Sequence, residues 1–382
     1  IETTIGSVEN PQKQASPFHS CPVFCRSSYW RLHLLLKICP LQRSVWPYCS
    51  PSSSSDPIKA ISDWCILPEG VLELIIFQIC KMAAMEIVRD EGAQQKIRVL
   101  SMFDGIGTGR LALKTLQFDV GAYYSCETDV DANLVNMIRN PDIIPIGDVR
   151  EINEKVLKCI SPIDLVIGGS PCDEFSIANP WSLGFILGRT GSLFYDFVRV
   201  LYKVLEMNKD RRVYWLFENV RSMSEEHRSI MSFFFFDQLP TIWDASVLTP
   251  QNRKRYFWGN IPGLKGGWES CRIKSPVVND VLCPFRKSHV KKVNCLTTNV
   301  QSQMEHSGTT FVKPVRTITD EESQFWSVER ERLFGFPDHY TDVAGISASS
   351  RHDMLGQAWS LPVVTTILSP LKGRFKMLPK TD

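Results

Sequence analysis

Cys172 is the first residue of this sequence that could do chemistry. It closes the run Gly168-Gly169-Ser170-Pro171-Cys172, which ends the apolar stretch that starts at Ile163. A thiol behind a proline, just past a strand, is poorly placed for core packing and well placed for nucleophilic attack. Glu218 and Asn219 form a second cluster at the end of the apolar run Tyr214-Trp215-Leu216-Phe217. A carboxyl group there tends to have a raised pKa and can act as an acid. The plain alternatives are a small core cysteine and a surface glutamate capping the next helix. A third cluster, Arg253-Lys254-Arg255, precedes the apolar Tyr256-Phe257-Trp258. It suits either a phosphate contact or an active-site arginine.

A fourth cluster is the glycine turn Asp104-Gly105-Ile106-Gly107-Thr108-Gly109, between a strand (Ile97 to Phe103) and a helix (Arg110 to Leu116). Strand, glycine turn and helix make a cradle of the nucleotide-binding type, and an acid about 20 residues on commonly takes ribose hydroxyls. Glu127 lies 22 residues after Gly105. Dehydrogenases and methyltransferases share this signal. A carboxylate at Asp104 would repel a pyrophosphate and suits a ligand carrying positive charge.

The elements that must position these groups alternate. Strands are expected at Val120 to Cys126, Ile143 to Ile146, Ile163 to Gly168 and Val213 to Phe217. Helices are expected at Val130 to Arg139 and Ser192 to Glu206. Alternation of this kind is the signature of an α/β fold: an open, mostly parallel, twisted sheet with helices on both faces. In such a sheet the ligand crevice lies at the carboxyl ends of the strands, where the glycine turn, Cys172 and Glu218 fall. After Asn260 the alternation stops. Residues 261–315 read as a small, loop-rich lobe inserted in the domain, and a helix resumes at about Ser327 to Phe334. The first 95 residues, with the serine run Ser52 to Ser55 and no clear periodicity, are expected to be poorly ordered, with Met82 or Met85 as candidate starts.

Charge sharpens the picture. Between Gln251 and Arg316 there are twelve Lys and Arg against three acids, a local +9 in a chain whose total is +2, so the remainder sums to −7. That excess points to a polyanion footprint. No apolar run reaches 18 residues, so no membrane span is expected. Twelve cysteines are spread over the length without a CxxC pair, and Cys21 and Cys25 are followed by no second pair at ligand spacing. Neither a disulfide framework nor a metal is expected.

Taken in order, the clusters and the late Gly-Gln-Ala-Trp359 resemble the motifs of the DNA cytosine-5-methyltransferases. Val166-Ile-Gly-Gly-Ser-Pro-Cys172, Trp215-Leu-Phe-Glu-Asn-Val220, Arg255-Tyr-Phe-Trp-Gly-Asn260 and Phe334-Gly-Phe-Pro-Asp-His-Tyr-Thr-Asp-Val343 are similar to the animal de novo enzymes in particular. The resemblance covers about residues 96 to 375 and implies a catalytic domain over 96–382, with 261–315 as the target-recognition region. It implies S-adenosylmethionine as cofactor, contacted by Phe103, Asp104, Ile106, Thr108, Glu127, Asp148, Val149 and Trp359. It implies DNA as partner, met by Lys291, Lys292, Thr297 and Asn299, and a nuclear location. It also implies assembly with a second copy or a related methyltransferase. One assembly surface would be aromatic (Tyr195 with Phe233 to Phe236) and one polar (Asp342 with Arg351).

The implied chemistry needs these residue types. C5 of cytosine is a poor nucleophile. If the Cys172 thiolate adds to C6 while Glu218 donates to the ring N3, C5 becomes enamine-like and can take a methyl group; loss of the C5 proton then expels Cys172. Asn219 would hold the base edge, and Arg253 and Arg255 the adduct or a phosphate. The base must leave its stack to reach Cys172. Three departures from the family pattern stand out: Gln357-Ala358 before the tryptophan, Asp173-Glu174 after the cysteine, and Asn299 in the place of a basic residue facing the guanine after the target. They keep two alternatives open, a catalytically weak accessory relative and an RNA cytosine methyltransferase.

Overall fold

The computed structural model describes residues 95–175, 190–209, 211–266, 275–299, 302, 305–307 and 310–379. The serine-rich start and the Cys21/Cys25 pair lie outside the described residues. The main sheet has seven strands: β1 (Ile97–Met102), β2 (Val120–Cys126), β3 (Ile143–Pro145), β4 (Leu165–Gly168), β5 (Tyr214–Val220), β6 (Thr241–Asp244) and β7 (Lys254–Gly259). Their spatial order is β3-β2-β1-β4-β5-β7-β6. All pairings are parallel except those of β7, which runs against β5 and β6. The helices are α1 (Thr108–Thr115), α2 (Val130–Arg139), α3 (Glu154–Ile160), α4 (Leu193–Met207), α5 (Glu225–Phe234), α6 (Ser327–Phe334), α7 (Ala348–Gln357) and α8 (Leu361–Leu368).

Local sequence explains these elements. β1, β4 and β5 are almost wholly buried, as central strands covered on both faces must be. Alternate residues enter opposite cores. Val99, Ile167, Leu216 and Phe257 join one cluster with α1, α6 and α8. Leu100, Val166, Phe217 and Trp258 join the other with α4 and α5. α4 buries Phe194, Phe197, Val198, Leu201 and Val204, a helical-period stripe. Asp129 and Asn153 cap α2 and α3 through their side chains.

The structure corrects three expectations. β5 does not stop at Phe217. It continues through Glu218 and Asn219 to Val220, because β7 offers backbone partners along that whole length. The loop-rich lobe extends beyond 315: β8 (Arg286–Ser288) pairs with β11 (Val315–Thr317), which pairs with β12 (Glu322–Ser323), beside a hairpin of β9 (Glu305–Ser307) and β10 (Thr310–Val312). Among the described residues it has no separate core, since Val278, Val293, Leu296 and Val315 sink into the α1/α6/α8 cluster. Finally, Tyr195, Phe234 and Phe235 are buried, packed edge-on against Phe194, with Phe235 also tilted against Phe217. The Phe233 to Phe236 run is mostly core, not an open assembly face. Arg351 likewise is held within the chain, by Glu331, Thr341 and Asp342. No described helix is long and apolar enough to cross a membrane.

Candidate active site

β1, β4 and β5 lie side by side, and their register sets Met102, Gly168 and Phe217 level across the sheet. The glycine turn, the cysteine loop and Glu218 therefore leave the same edge on neighbouring strands. Gly107 opens α1 in the left-handed region (φ 73°), which favours glycine. Phe103 shares that region (φ 57°), a strained conformation for a bulky residue and a mark of functional loops. Gly169 is needed for space. A Cβ there would stand 2.8 Å from the Glu218 carbonyl oxygen and 3.0 Å from its Oε2.

Glu218 is gripped from two sides. Arg255 forms an ion pair with it, Nε to Oε1 at 3.0 Å, and Trp359 donates Nε1–H to its Oε2 at 3.0 Å. Burial raises the Glu218 carboxyl above the ordinary carboxylate range, against the pull of Arg255, Arg253 and the Trp359 hydrogen bond. The half-buried Cys172 starts a turn in which its carbonyl accepts from Phe175 N–H. Burial pushes its thiol up, and Glu218 and Asp173 add to this; Arg255 and Arg253 oppose them. The site thus holds a nucleophile that needs activation and a carboxyl that keeps its proton readily.

Other residues differ from expectation. Asn219 is buried and donates Nδ2–H to the Ser170 carbonyl at 3.2 Å, while its Oδ1 accepts from Val220 N–H. It buttresses the loop that carries Cys172 rather than presenting an amide to a base. Arg253 is buried under the site: it donates to the carbonyls of Leu296, Gly356 and Ala358 at 2.8–3.0 Å and stacks on Phe334. It ties the loop at Leu296 to the Trp359 segment from a buried position. Trp359, expected at the cofactor, sits on Glu218.

At the cradle, Asp104 is turned inward. Its carboxylate accepts from Ser101, Tyr123 and Ser125 hydroxyls, and burial lifts its pKa to about 6. It braces the turn from beneath instead of facing a ligand, which corrects the charge argument drawn from the sequence. Ile106 and Thr108 bury their side chains, so any ligand contact falls to their backbone. Glu127 is half-exposed. Its Oε2 accepts from Gly105 N–H at 2.7 Å and its Oε1 from Thr128 and Asp129 N–H. Asp148 opens the turn that contains Val149, and its carboxylate is paired with Arg150. These two acids follow neighbouring strands β2 and β3, an acceptor set that fits ribose hydroxyls and an exocyclic amine.

In the basic lobe, Lys291 is exposed. Lys292 is not available to phosphate: its ammonium donates to the carbonyls of Ser246, Thr249 and Pro276 at 2.7–3.0 Å and to the Ser275 hydroxyl. Burial lowers its pKa. Thr297 accepts Asn299 N–H through Oγ1, and Asn299 is exposed at the tip of this loop.

Sequence reasoning missed Cys295, whose Sγ accepts from Arg253 and Arg255 at 3.4 and 3.5 Å. It also missed Trp243 and Ser360, which line a narrow cleft together with Glu218, Arg253, Arg255 and Trp359. Extended residues two apart share a face, and the spacing of Arg253 and Arg255 was the available signal for Cys295's neighbours. No cluster of three or more metal-ligating side chains occurs among the described residues.

Residues 97–263 match the family model described as C-5 cytosine-specific DNA methylase. The orphan methyltransferase M.Rho11sI of Bacillus phage rho11s is 31% identical over 177 residues, 42% of this chain and 32% of the phage protein. DNA (cytosine-5)-methyltransferase DRM2 of Oryza sativa subsp. japonica is 32% identical over 117 residues, 28% of this chain and 20% of that protein. The chain thus spans about a third or less of these relatives' length. Among solved structures, the Entamoeba histolytica methyltransferase EhMeth aligns with a TM-score of 0.52 at 14% identity, covering 73% of this chain and 98% of that one. A mutant of Spodoptera frugiperda DNMT2 gives 0.53 at 17% identity, covering 72% and 99%. These two likenesses establish the fold.

Proposed function

We propose, for a chain whose residues 97–263 match the model of the C-5 cytosine-specific DNA methylase family, that it is a DNA (cytosine-5)-methyltransferase of the de novo type. It transfers a methyl group to C5 of a flipped cytosine through a covalent Cys172 adduct. The observation that carries this reading is the juxtaposition at one sheet edge: Cys172 on the loop after β4, and Glu218 on β5 with Arg255 on one oxygen and Trp359 on the other. DNA is its macromolecular partner and the nucleus its compartment.

The cradle fits S-adenosylmethionine. The acceptors Glu127 and Asp148 follow adjacent strands, beside the half-exposed ring of Phe103, and would hold its ribose, adenine and purine face. The cofactor, when bound, supplies the electrophilic methyl group. Cys172 supplies the sulfur that adds to C6, and needs its proton removed first because its thiol is pushed up. Glu218, whose carboxyl is raised by burial, holds a proton at ring N3. Arg255 orients Glu218 and limits that rise. Asn219 fixes Ser170 and with it the approach of Cys172.

Transfer of labelled methyl from S-adenosylmethionine to duplex DNA and to tRNA, with Cys172→Ala as control, tests the reading. DNA containing 5-fluorocytosine should also trap a covalent complex, because fluorine cannot leave as a proton does. Label on tRNA alone, or a trapped complex that persists in Cys172→Ala, would overturn it. One observation favours a second reading, a weak accessory relative: Asp173 adds negative charge beside Cys172 and disfavours its thiolate. Stimulation of an active methyltransferase without turnover of its own would support that.

A further inference from the structure

Two guanidiniums and one carboxylate meet at the start of β7, which leaves one positive charge unbalanced. Arg253 finds only neutral carbonyl oxygens besides the Cys295 sulfur. Arg255 spends Nε on Glu218, one terminal nitrogen on the Lys254 carbonyl and the other on Cys295. An unbalanced buried cation is costly, and a neighbouring thiol is the group that can supply the missing anion. Two thiols are in range of this charge, Cys172 and Cys295. Cys172 faces the carboxylates of Glu218 and Asp173 as well as the two arginines, whereas the charged groups that bear on Cys295 are the two arginines alone. Both aim N–H groups at its sulfur.

We propose that Cys295 is a positioning residue for the reaction: its sulfur, which accepts N–H groups of both Arg253 and Arg255, anchors the outer end of Arg255 while the inner end pairs with Glu218. Burial alone would raise this thiol, but the two guanidiniums more than offset it and hold Cys295 below the ordinary cysteine range. Cys172 lies above that range. The two sulfurs therefore compete for one surplus positive charge, and Cys295 takes it until a substrate engages Cys172. The role rests on the methyl-transfer reading; the charge state of Cys295 does not.

The test is the pH dependence of iodoacetamide alkylation in the whole chain, followed peptide by peptide by mass spectrometry. The exposed Cys159 is the reference. Midpoints are compared because, unlike amplitudes, they do not depend on access. The Cys295 midpoint should lie below that of Cys159 and the Cys172 midpoint above it. Cys295→Ser removes the anion but keeps a hydrogen-bonding group, so Cys172 should react about threefold faster at pH 7, equivalent to about half a pH unit. Cys295→Asp restores a fixed anion and should return Cys172 to its original midpoint. The acid limb of methyl transfer should move to lower pH in Cys295→Ser and back in Cys295→Asp. A Cys295 midpoint at or above that of Cys159, or a Cys172 midpoint indifferent to both substitutions, would overturn the proposal. A wild-type chain that transfers no methyl group to any substrate would instead overturn the function, leaving the alkylation midpoints to decide the charge state.

Discussion

Trp359 donates its indole N–H to Glu218 across 141 positions of sequence, at 3.0 Å. This bond joins the link between α7 and α8 to strand β5. It stabilises the ionised carboxylate and so opposes burial. Trp359→Phe keeps the ring and removes the donor. The Glu218 pKa should rise, and the alkaline limb of the turnover profile should move to higher pH. Turnover at the optimum should fall about tenfold, since a hydrogen bond to a charged group contributes about 1.5–3 kcal/mol. A profile that keeps its shape in the variant would separate Trp359 from Glu218.

Asp104 gives a pH prediction for stability. Its carboxyl is raised from 3.8 to about 6 by burial. In the folded chain it therefore holds a proton that the unfolded chain releases, and stability falls as pH rises from about 4 through 6. The sign is opposite to that of an ion-paired carboxylate. Asp104→Asn removes the charge while the three hydroxyls around it can reorient. The variant should match the wild type near pH 4 and exceed it above pH 7, by about 3 kcal/mol at most. Urea midpoints at pH 4 and 8 measure this, and an equal difference at both values would refute it.

The sheet was legible because its strands announce themselves. Val120 to Cys126 and the helix Val130 to Arg139 stand as read from the sequence. Glu218 was misplaced at a strand end because the apolar run stops at Phe217, whereas the antiparallel partner β7 prolongs the hydrogen-bonded ladder to Val220. Polar roles were less legible for a common reason: a side chain's partner lies far away in sequence. Asn219 reaches Ser170, Arg253 reaches Gly356, and Lys292 reaches Ser246, each across more than 40 positions. A charge count treats Lys292 as surface, and only the fold reveals the carbonyls around it. The four-phenylalanine run reads equally as interface or core until Phe194 and Phe217 are seen against it.

Lys291 and Lys292 should separate cleanly. Lys291 is exposed in the basic lobe, so Lys291→Ala should lower the slope of log DNA affinity against log salt by about 0.9 if it meets one phosphate. Lys292→Ala should leave that slope unchanged. It should instead destabilise the chain by about 2 kcal/mol, because it takes the ammonium donor from the carbonyls of Thr249 and Pro276 and leaves Ser246 only the Ser275 hydroxyl. Fluorescence anisotropy over a salt series, beside thermal unfolding, distinguishes the two. The reverse pattern would return Lys292 to the DNA surface.

Asn299 makes the last prediction. It is exposed beyond Thr297, whose Oγ1 accepts its backbone N–H and whose loop is tied through Leu296 to Arg253. The loop is thus held at its base, and Asn299 is exposed. By resemblance, Asn299 stands where a basic side chain would meet the guanine after the target cytosine. Arg or Lys reads guanine through O6 and N7, whereas an amide offers a donor and an acceptor together and matches adenine. Losing such a contact costs about 1–3 kcal/mol of discrimination. The chain should therefore prefer guanine less than basic relatives do and methylate more often before adenine. Asn299→Arg should restore guanine preference by about tenfold. Sequencing of products on a substrate with random flanks reads both. Lys292 can no longer be the substitute reader, since its ammonium is already engaged, which leaves Lys291 and Arg316 as the rivals. Strict guanine preference in the wild type, kept in Asn299→Ala and lost in Lys291→Ala or Arg316→Ala, would give the reading to the rival instead.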